Sequence, residues 1–392
     1  MLVFLMTSCS PDYECPKELP CDEEVSEPSW DNVSEPAGED SSFPTQPSFE
    51  PSQPSEEPAG EPVEERVPCE LTPMFTAPQD YEFFGLGAEL SVVANVGIDV
   101  DLSEYTLRWE DGSEQIIAEV SADEQGNFTY SGSDFTQGQG AQSVHARLVS
   151  PEGACQNTAY VRLFVCGMTY SEDFAQQPAD WVLSGDATWD PGGWLEMTGL
   201  YQGRRGAVYN DLQVISDGAA SLRFTIKTGM GSEPGADGFS FTIIDVADPS
   251  ELETLLSEAA PGGGLGYGFG GMYGSWVGDA ITVEIDTWYN NGGGTTEHTD
   301  PTEQNHIAIT QGADPSDHLA WFEVPDVEDF QPHTIRVDIW GNMLRVWYDG
   351  NQVIDQGIVL GFKGGHMFFT GSTGYYYNYH IFDDLEILHQ CQ

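Results

Sequence analysis

Residues 281–309 read ITVEIDTWYNNGGGTTEHTDPTEQNHIAI. Ile281, Val283 and Ile285 alternate with polar residues, so on an extended strand Glu284, Asp286, Trp288 and Asn290 face the same side. Asp300 and His306 return after a glycine-rich loop. Calcium takes six to eight hard oxygens from carboxylates, amide oxygens and backbone carbonyls. Asp286, Asn290, Asp300 and the Trp288 carbonyl make such a set. Glu284 and His306, sharing Asp286 and Asp300, suit a smaller ion such as Mn²⁺, where an imidazole joins carboxylates. The competing interpretation of the spacing is a polar sheet face with incidental acids.

The composition favours strands over helices. The chain has 392 residues, 44 of them glycine, with 12% aromatics and little helical periodicity, which makes all-β the expectation. Its formal net charge is -53, from 65 acidic and 12 basic residues. Such a field repels nucleic acid and anionic lipid and draws divalent cations close. A solvated acidic surface explains most of that charge.

Four segments follow along the chain. Residues 1–9, MLVFLMTSC, resemble the tail of a bacterial lipoprotein signal, with Cys9 as the residue to be lipidated. They lack a basic start and have a short apolar core. Residues 10–67 are rich in Glu, Pro and Ser, with few aliphatics, and are expected to form a disordered acidic linker, extended as a stalk. Cys15 and Cys21 would close a local loop there. Residues 68–166 alternate short apolar runs (89–94, 105–109, 115–120, 143–149, 159–165) with turn clusters. The pattern resembles a small immunoglobulin or polycystic-kidney-repeat sandwich, a spacer without chemistry of its own. That topology would bring Cys69 near Cys155.

Residues 167–392 are long enough for one large sandwich, with strands expected at 221–227, 238–244, 280–287, 306–310, 334–339, 343–348 and 366–371. One short helix is expected, capped by Asp248, with Pro249 in its first turn, an apolar face of Leu252, Leu255 and Leu256, and a stop at Pro261. A bond from Cys391 to Cys166 would clamp the domain's two ends if they form adjacent strands. With Cys9 set aside, six cysteines allow three disulfides, as an exported protein would carry.

The strand 283–288, then Asn290, Asp300-Pro301 and His306-Ile307, resembles the metal-binding segment of legume-type (L-type) lectins. Three further loops match in order. Ala236-Asp237-Gly238 resembles the first sugar-binding loop. The run GGGLG at 262–266 resembles the second. The run STGYYYNYH at 372–380 resembles the fourth, which tunes monosaccharide choice. The likeness spans about 220 residues and is nearer to bacterial secreted members than to plant seed lectins. It implies a concanavalin A-like jelly-roll that binds glycans at a cell surface with Ca²⁺ and a second ion such as Mn²⁺. By the resemblance, Asp286, Asn290, Asp300 and the Trp288 carbonyl hold calcium, and Glu284, Asp286, Asp300 and His306 hold the second ion. Asp237, Gly262, Gly263 and Asn290 would meet sugar hydroxyls, Trp288 would face the pyranose C–H groups, and Tyr375 and Tyr376 would line the fourth loop. The gap between Asn290 and Asp300 is longer than in the family, and Glu297 or Glu303 could replace Asp300. A cis peptide between Ala236 and Asp237 is implied too.

Two other functions compete. Some β-glucanases share the sandwich and place two glutamates around an aspartate on one strand. Glu284-Ile285-Asp286 begins that way, but Trp288 or Tyr289 stands where the second glutamate should fall. No Gly-x-Ser-x-Gly elbow appears either. The remaining alternative is a structural or adhesive module without sugar affinity.

Overall fold

The computed structural model describes residues 66–391, apart from 97–99, 216–217, 247–249, 269–278, 292–298, 313 and 360–363. The expectations for Cys9, Cys15, Cys21, the acidic linker, Asp248, Pro249 and Glu297 lie outside the described residues. The chain is all-β, with two sandwiches and one short α-helix among the described residues.

In the small sandwich, a five-stranded sheet runs in the order Glu82–Gly85, Gly153–Cys166, Gly140–Ser150, Thr106–Glu110, Ile116–Ser121. A three-stranded sheet of Met74–Ala77, Leu90–Asn95 and Phe128–Gly132 completes it. Val92, Leu107, Trp109, Phe128, Leu148 and Leu163 fill its core, supplied by the alternation in each strand. One charged pair is also enclosed: Arg147 Nε donates to Glu110 Oε1 at 2.9 Å, and its guanidinium also donates to the Cys155 carbonyl at 3.0 Å. The Cys69–Cys155 bond forms as expected.

The large sandwich is a jelly-roll of two packed sheets, as the resemblance implies. Its seven-stranded sheet runs Val182–Gly185, Arg205–Ile215, Gly364–Ser372, Gly238–Ile244, Ala280–Asp286, His306–Gln311, His318–Glu323. An eight-stranded sheet is centred on Tyr379–His389, Ala219–Gly229, His333–Trp340 and Met343–Tyr348. Phe239, Phe241, Val283, Ile285 and Ile307 point between the sheets and meet Leu222, Phe224, Val337 and Val346. The opposite face of the seven-stranded sheet is covered as well. Leu252 and Leu256 of the helix Ser250–Glu258, with Leu265 and Tyr267, pack there against Tyr209, Ile244 and Phe368.

This second cover explains why the polar side of the 280–286 strand is dry. Thr282 bonds Thr242 across the sheet at 2.8 Å, and Thr370 donates to the Leu265 carbonyl at 2.8 Å. Buried hydroxyls are thus satisfied pairwise, as burial requires. Met168–Glu172 runs antiparallel to Tyr379–His389, and Cys166 bonds Cys391, as expected for adjacent strands. Among the described residues no helix is long and apolar enough to cross a membrane.

Candidate functional site

Antiparallel register assembles the site. Ser372, Gly238, Asp286, His306 and Glu323 lie in one row across five neighbouring strands. The loops that leave the sheet at this row carry the other residues expected from sequence. Gly238 has φ +151°, and a Cβ there would meet the Ile285 carbonyl at 2.3 Å. Only glycine permits so close an approach, which holds Asp237 beside the Asp286 strand. Thr287 fixes the Asp237 carbonyl from both its backbone N–H (2.8 Å) and its hydroxyl (3.1 Å). The Ala236–Asp237 peptide is cis, as the resemblance implied.

Three loops converge on the Asp237 carboxylate. A Cβ built on Gly374 would lie 3.0 Å from its Oδ2 and 3.5 Å from the Gly262 Cα. Gly262 itself opens the turn Gly262–Gly264, with its carbonyl held by the Ser372 hydroxyl at 2.7 Å. The glycines at 262 and 374 therefore pack side by side against a carboxylate that is 5% exposed, forming a wall of backbone without side chains. The loop at 201–204 supports this wall from outside. Gly203 N–H donates to the Gly374 carbonyl at 2.9 Å, and Thr373 Oγ1 donates to the Tyr201 carbonyl at 2.7 Å.

An aromatic group stands beside the wall. Trp288 and Tyr376 stack with centroids 4.7 Å apart, and Tyr375 meets Tyr376 edge-on at 5.2 Å. Tyr375 is 76% exposed. One face of the Trp288 indole is thus covered by Tyr376, so the sequence-expected sugar platform is shared between two rings. Glu328, not foreseen from sequence, ties the fourth loop to the metal-strand return. It accepts from Asn378 Nδ2 and, at 2.8 Å, from Asn305 Nδ2.

The carboxylates gather on the buried side. Asp286 Oδ1 accepts the Trp288 N–H at 2.8 Å, and Asp300 Oδ2 accepts the Asn290 N–H. Asn290 Nδ2 lies 3.5 Å from the Trp288 carbonyl, so the oxygens assigned to calcium sit on one short stretch. Asp300 bonds back through its N–H to the Asn290 carbonyl at 2.9 Å, closing the 290–300 loop despite its length. Asp300 is buried, whereas Glu303 is exposed. The geometry thus brings Asp300 to the site.

Burial, then the charges of Asp300 and Glu284, push Asp286 well above the usual carboxylate range. Burial also works against a charged Glu284, but the His318 bond, the nearby His306 and the Tyr267 hydroxyl hold it below that range. His318 is the converse: burial lowers its pKa, and the Glu284 bond outweighs this and raises it. Tyr267 is raised well above 10 by burial, then by the Glu284 charge. Buried carboxylates packed this closely form a site that a cation would stabilise.

The donor set fits metal ions. His306 is 1% exposed; its Nδ1 lies 3.0 Å from the Gln304 carbonyl, and its buried Nε2 has no hydrogen-bond partner. Ligand atoms of Glu284, His306 and His318 all lie within 4.8 Å of one another. His318 was not expected from sequence, nor was Tyr267, whose hydroxyl donates to Glu284 Oε2. The oxygens near Asn290 would hold a hard ion such as Ca²⁺. Its role there would be to fix the 287–300 loop and Asp237 relative to one another.

No protein-family model matches the chain, and no curated protein matches it. Among solved structures it is similar to the exoplasmic/lumenal domain of VIP36 in a Ca²⁺/Man3GlcNAc-bound form. The identity is 14%, over 55% of this chain and 87% of that one, with a TM-score of 0.42. It is similar also to a lectin from Bauhinia forficata in complex with GalNAc, at 20% identity over 57% of this chain and 99% of that one (TM-score 0.46). A third is the carbohydrate recognition domain of Emp47p, at 14% identity over 56% of this chain and 94% of that one (TM-score 0.42).

Proposed function

We propose that residues 167–392 form an L-type lectin-like domain that binds glycans in a calcium-dependent way, behind a spacer sandwich at 68–166. The observation that carries this reading is the close convergence of Asp237, Gly262 and Gly374 beside the carboxylate row. Asp237 would accept hydrogen bonds from sugar hydroxyls, while the neighbouring glycines let a pyranose approach the backbone. Trp288, Tyr375 and Tyr376 would supply aromatic faces and edges for its C–H groups. Asn290 would hold calcium and sugar together, which makes the ion a condition of binding. The second ion would take Glu284, Asp286, Asp300 and His306, with Mn²⁺ as the expectation from the resemblance. Two disulfides fit an exported protein.

Glu284 is a poor catalyst in this setting. It is 1% exposed, and both oxygens are engaged, by Tyr267 and His318. A carboxyl so enclosed cannot protonate a glycosidic oxygen. The site therefore favours binding over hydrolysis. Each sugar contact would be weak, because few hydrogen bonds replace those of a strongly hydrated ligand, so adhesion would need many copies. A glycan array run with and without chelator tests the reading. Sugar binding that disappears with EDTA, returns with Ca²⁺ and is abolished in folded Asp237→Ala is the expected outcome. Metal-independent turnover of a glucan, or silence on the array with Ca²⁺ present, would replace it with an enzyme or a scaffold.

A further inference from the structure

We infer that His318 is a direct ligand of the second ion and that this makes the site prefer a nitrogen-seeking ion of the zinc class over Mn²⁺. The inference uses the proposed function only in taking this row as a metal site; it does not need a sugar to bind. Sequence spacing supplies Glu284 and His306 from adjacent strands. The next strand, His318–Glu323, pairs with His306–Gln311 so that His318 stands opposite Thr310 on the sheet's polar face. From there its Nε2 reaches Glu284 Oε1 at 2.9 Å.

Three features distinguish this group from a plain buried ion pair. First, His306 is oriented as a ligand. A neutral imidazole whose Nδ1–H donates to the Gln304 carbonyl carries its lone pair on Nε2, and that atom is buried with no partner. An ion pair between His318 and Glu284 alone gives that nitrogen nothing to bind. Second, the other Glu284 oxygen is held by the Tyr267 hydroxyl, which also contacts Thr310 Oγ1 at 3.0 Å. Glu284 is therefore steered so that Oε1 faces the imidazoles, as supporting contacts do for metal ligands. Third, the spacing fits. Neighbouring ligands about 2.0–2.2 Å from a zinc ion in a four- or five-coordinate shell are about 2.8–3.6 Å apart, and the three ligand atoms lie within 4.8 Å of one another without an ion between them.

Two imidazoles and a carboxylate form a harder-to-soft compromise that zinc and its neighbours favour. Calcium and manganese favour oxygen, and affinity for nitrogen-bearing sites rises from Mn²⁺ towards Cu²⁺ and Zn²⁺. With His306 alone among carboxylates, the margin for zinc over Mn²⁺ would be narrower. His318 changes that balance.

The test uses the full protein stripped with chelator, dialysed into excess Ca²⁺ and moderate salt, and titrated separately with Zn²⁺ and Mn²⁺. Metal content is read by mass spectrometry and affinity by calorimetry. We expect one Zn²⁺ per chain beyond the calcium, bound at least about tenfold more tightly than Mn²⁺. His318→Gln should lose most of that zinc preference while calcium content and the thermal melt in Ca²⁺ are retained. Unchanged Zn²⁺ affinity and Zn²⁺/Mn²⁺ ratio in His318→Gln would overturn the inference, as would wild type that prefers Mn²⁺. If the variant fails to fold, anomalous diffraction of zinc-loaded wild type decides. A zinc peak about 2.0–2.2 Å from His318 Nε2 supports direct ligation, and a peak elsewhere refutes it. Zinc bound as expected with no sugar on the array would sink the lectin reading alone. Calcium-dependent sugar binding without a His318 effect would sink only this inference.

Discussion

Gly374 and Asp237 face each other so closely that a single methyl group on the glycine would touch the carboxylate, at 3.0 Å from Oδ2. Gly374→Ala must therefore displace Asp237 by a few tenths of an ångström, at a cost of about 1–3 kcal/mol of local adjustment. If Asp237 is the sugar acceptor, affinity for the best array ligand should fall by about five- to 100-fold. The same strain should lower the melting temperature by a few degrees. Surface plasmon resonance and a thermal melt of the folded variant check the two; undiminished binding would place the sugar elsewhere.

Removing divalent ions should loosen the same loops. An ion present at about 100 times its dissociation constant adds about 2.7 kcal/mol to the native state. Chelation should remove a stabilisation of that order, because buried Asp286, Asp300 and Glu284 then lose the cation that offsets their mutual repulsion. Differential scanning calorimetry with EDTA, then with Ca²⁺ restored, measures the shift. An identical melt in both conditions would speak against a resident ion.

His380, beneath the fourth loop, gives the pH dependence a defined sign. Burial lowers its pKa to about 3, and its Nδ1 lies 3.0 Å from Thr198 Oγ1. The unfolded chain takes up a proton near pH 6.5 and the folded one does not until about pH 3. Stability from this residue is therefore complete above pH 6.5 and is lost as pH falls towards 3. Asp383 acts in the opposite sense. Burial first, then nearby Asp384, raise it to about 6, so its folded form gains stability as pH falls through that value. Comparing wild type with His380→Gln cancels the Asp383 contribution. The wild-type advantage should shrink by up to about 1.4 kcal/mol per pH unit between pH 6 and 4, read from urea midpoints. A difference that does not change with pH would mean that His380 is charged or solvated.

The small sandwich should depend strongly on its enclosed charge pair. Arg147 and Glu110 are both almost fully buried, and Arg147 reaches the Cys155 carbonyl. Glu110→Ala leaves a dry guanidinium with one anchor fewer and should cost about 3–5 kcal/mol. The double change of both residues to apolar ones of similar size should cost much less. Urea denaturation of the wild type and the two variants tests this order.

The sequence made the central strands legible because their pattern is strong. The strand expected at 238–244 is found with the same bounds, and that expected at 280–287 is found as Ala280–Asp286. The motif loops around Asp237 and 262–266 were readable because glycine marks close approach. The strand His318–Glu323 was not read, and His318 went with it. It lies at a sheet edge, where Trp321 and Phe322 are both exposed, so its apolar run lacks the alternation that marks a half-buried strand. Tyr267 escaped for another reason. Its contact with Glu284 exists only once the 260–268 segment folds over the sheet, and no local spacing records that. Tyr379–His389 was missed as well, since Asp383, Asp384 and Glu386 interrupt its apolar pattern and Asp384 adopts a left-handed φ of 50°. The stacking of Trp288 on Tyr376 was equally invisible, because it joins residues far apart in the chain.

The Cys166–Cys391 bond joins the strand Gly153–Cys166 of the small sandwich to the outer margin of the large one, where Thr169 and Leu388 are antiparallel neighbours. Hydrogen-bonded ladders yield easily when pulled open at one end, a pair at a time. Here tension arriving along residues 153–166 meets a covalent ring before it meets the ladder. The load is passed to both strands at once and must shear them rather than peel them. Pulling on residues 153–166 would thus load a corner of the large sandwich where the strand ends are covalently joined, and the ladder is not free to open from that end.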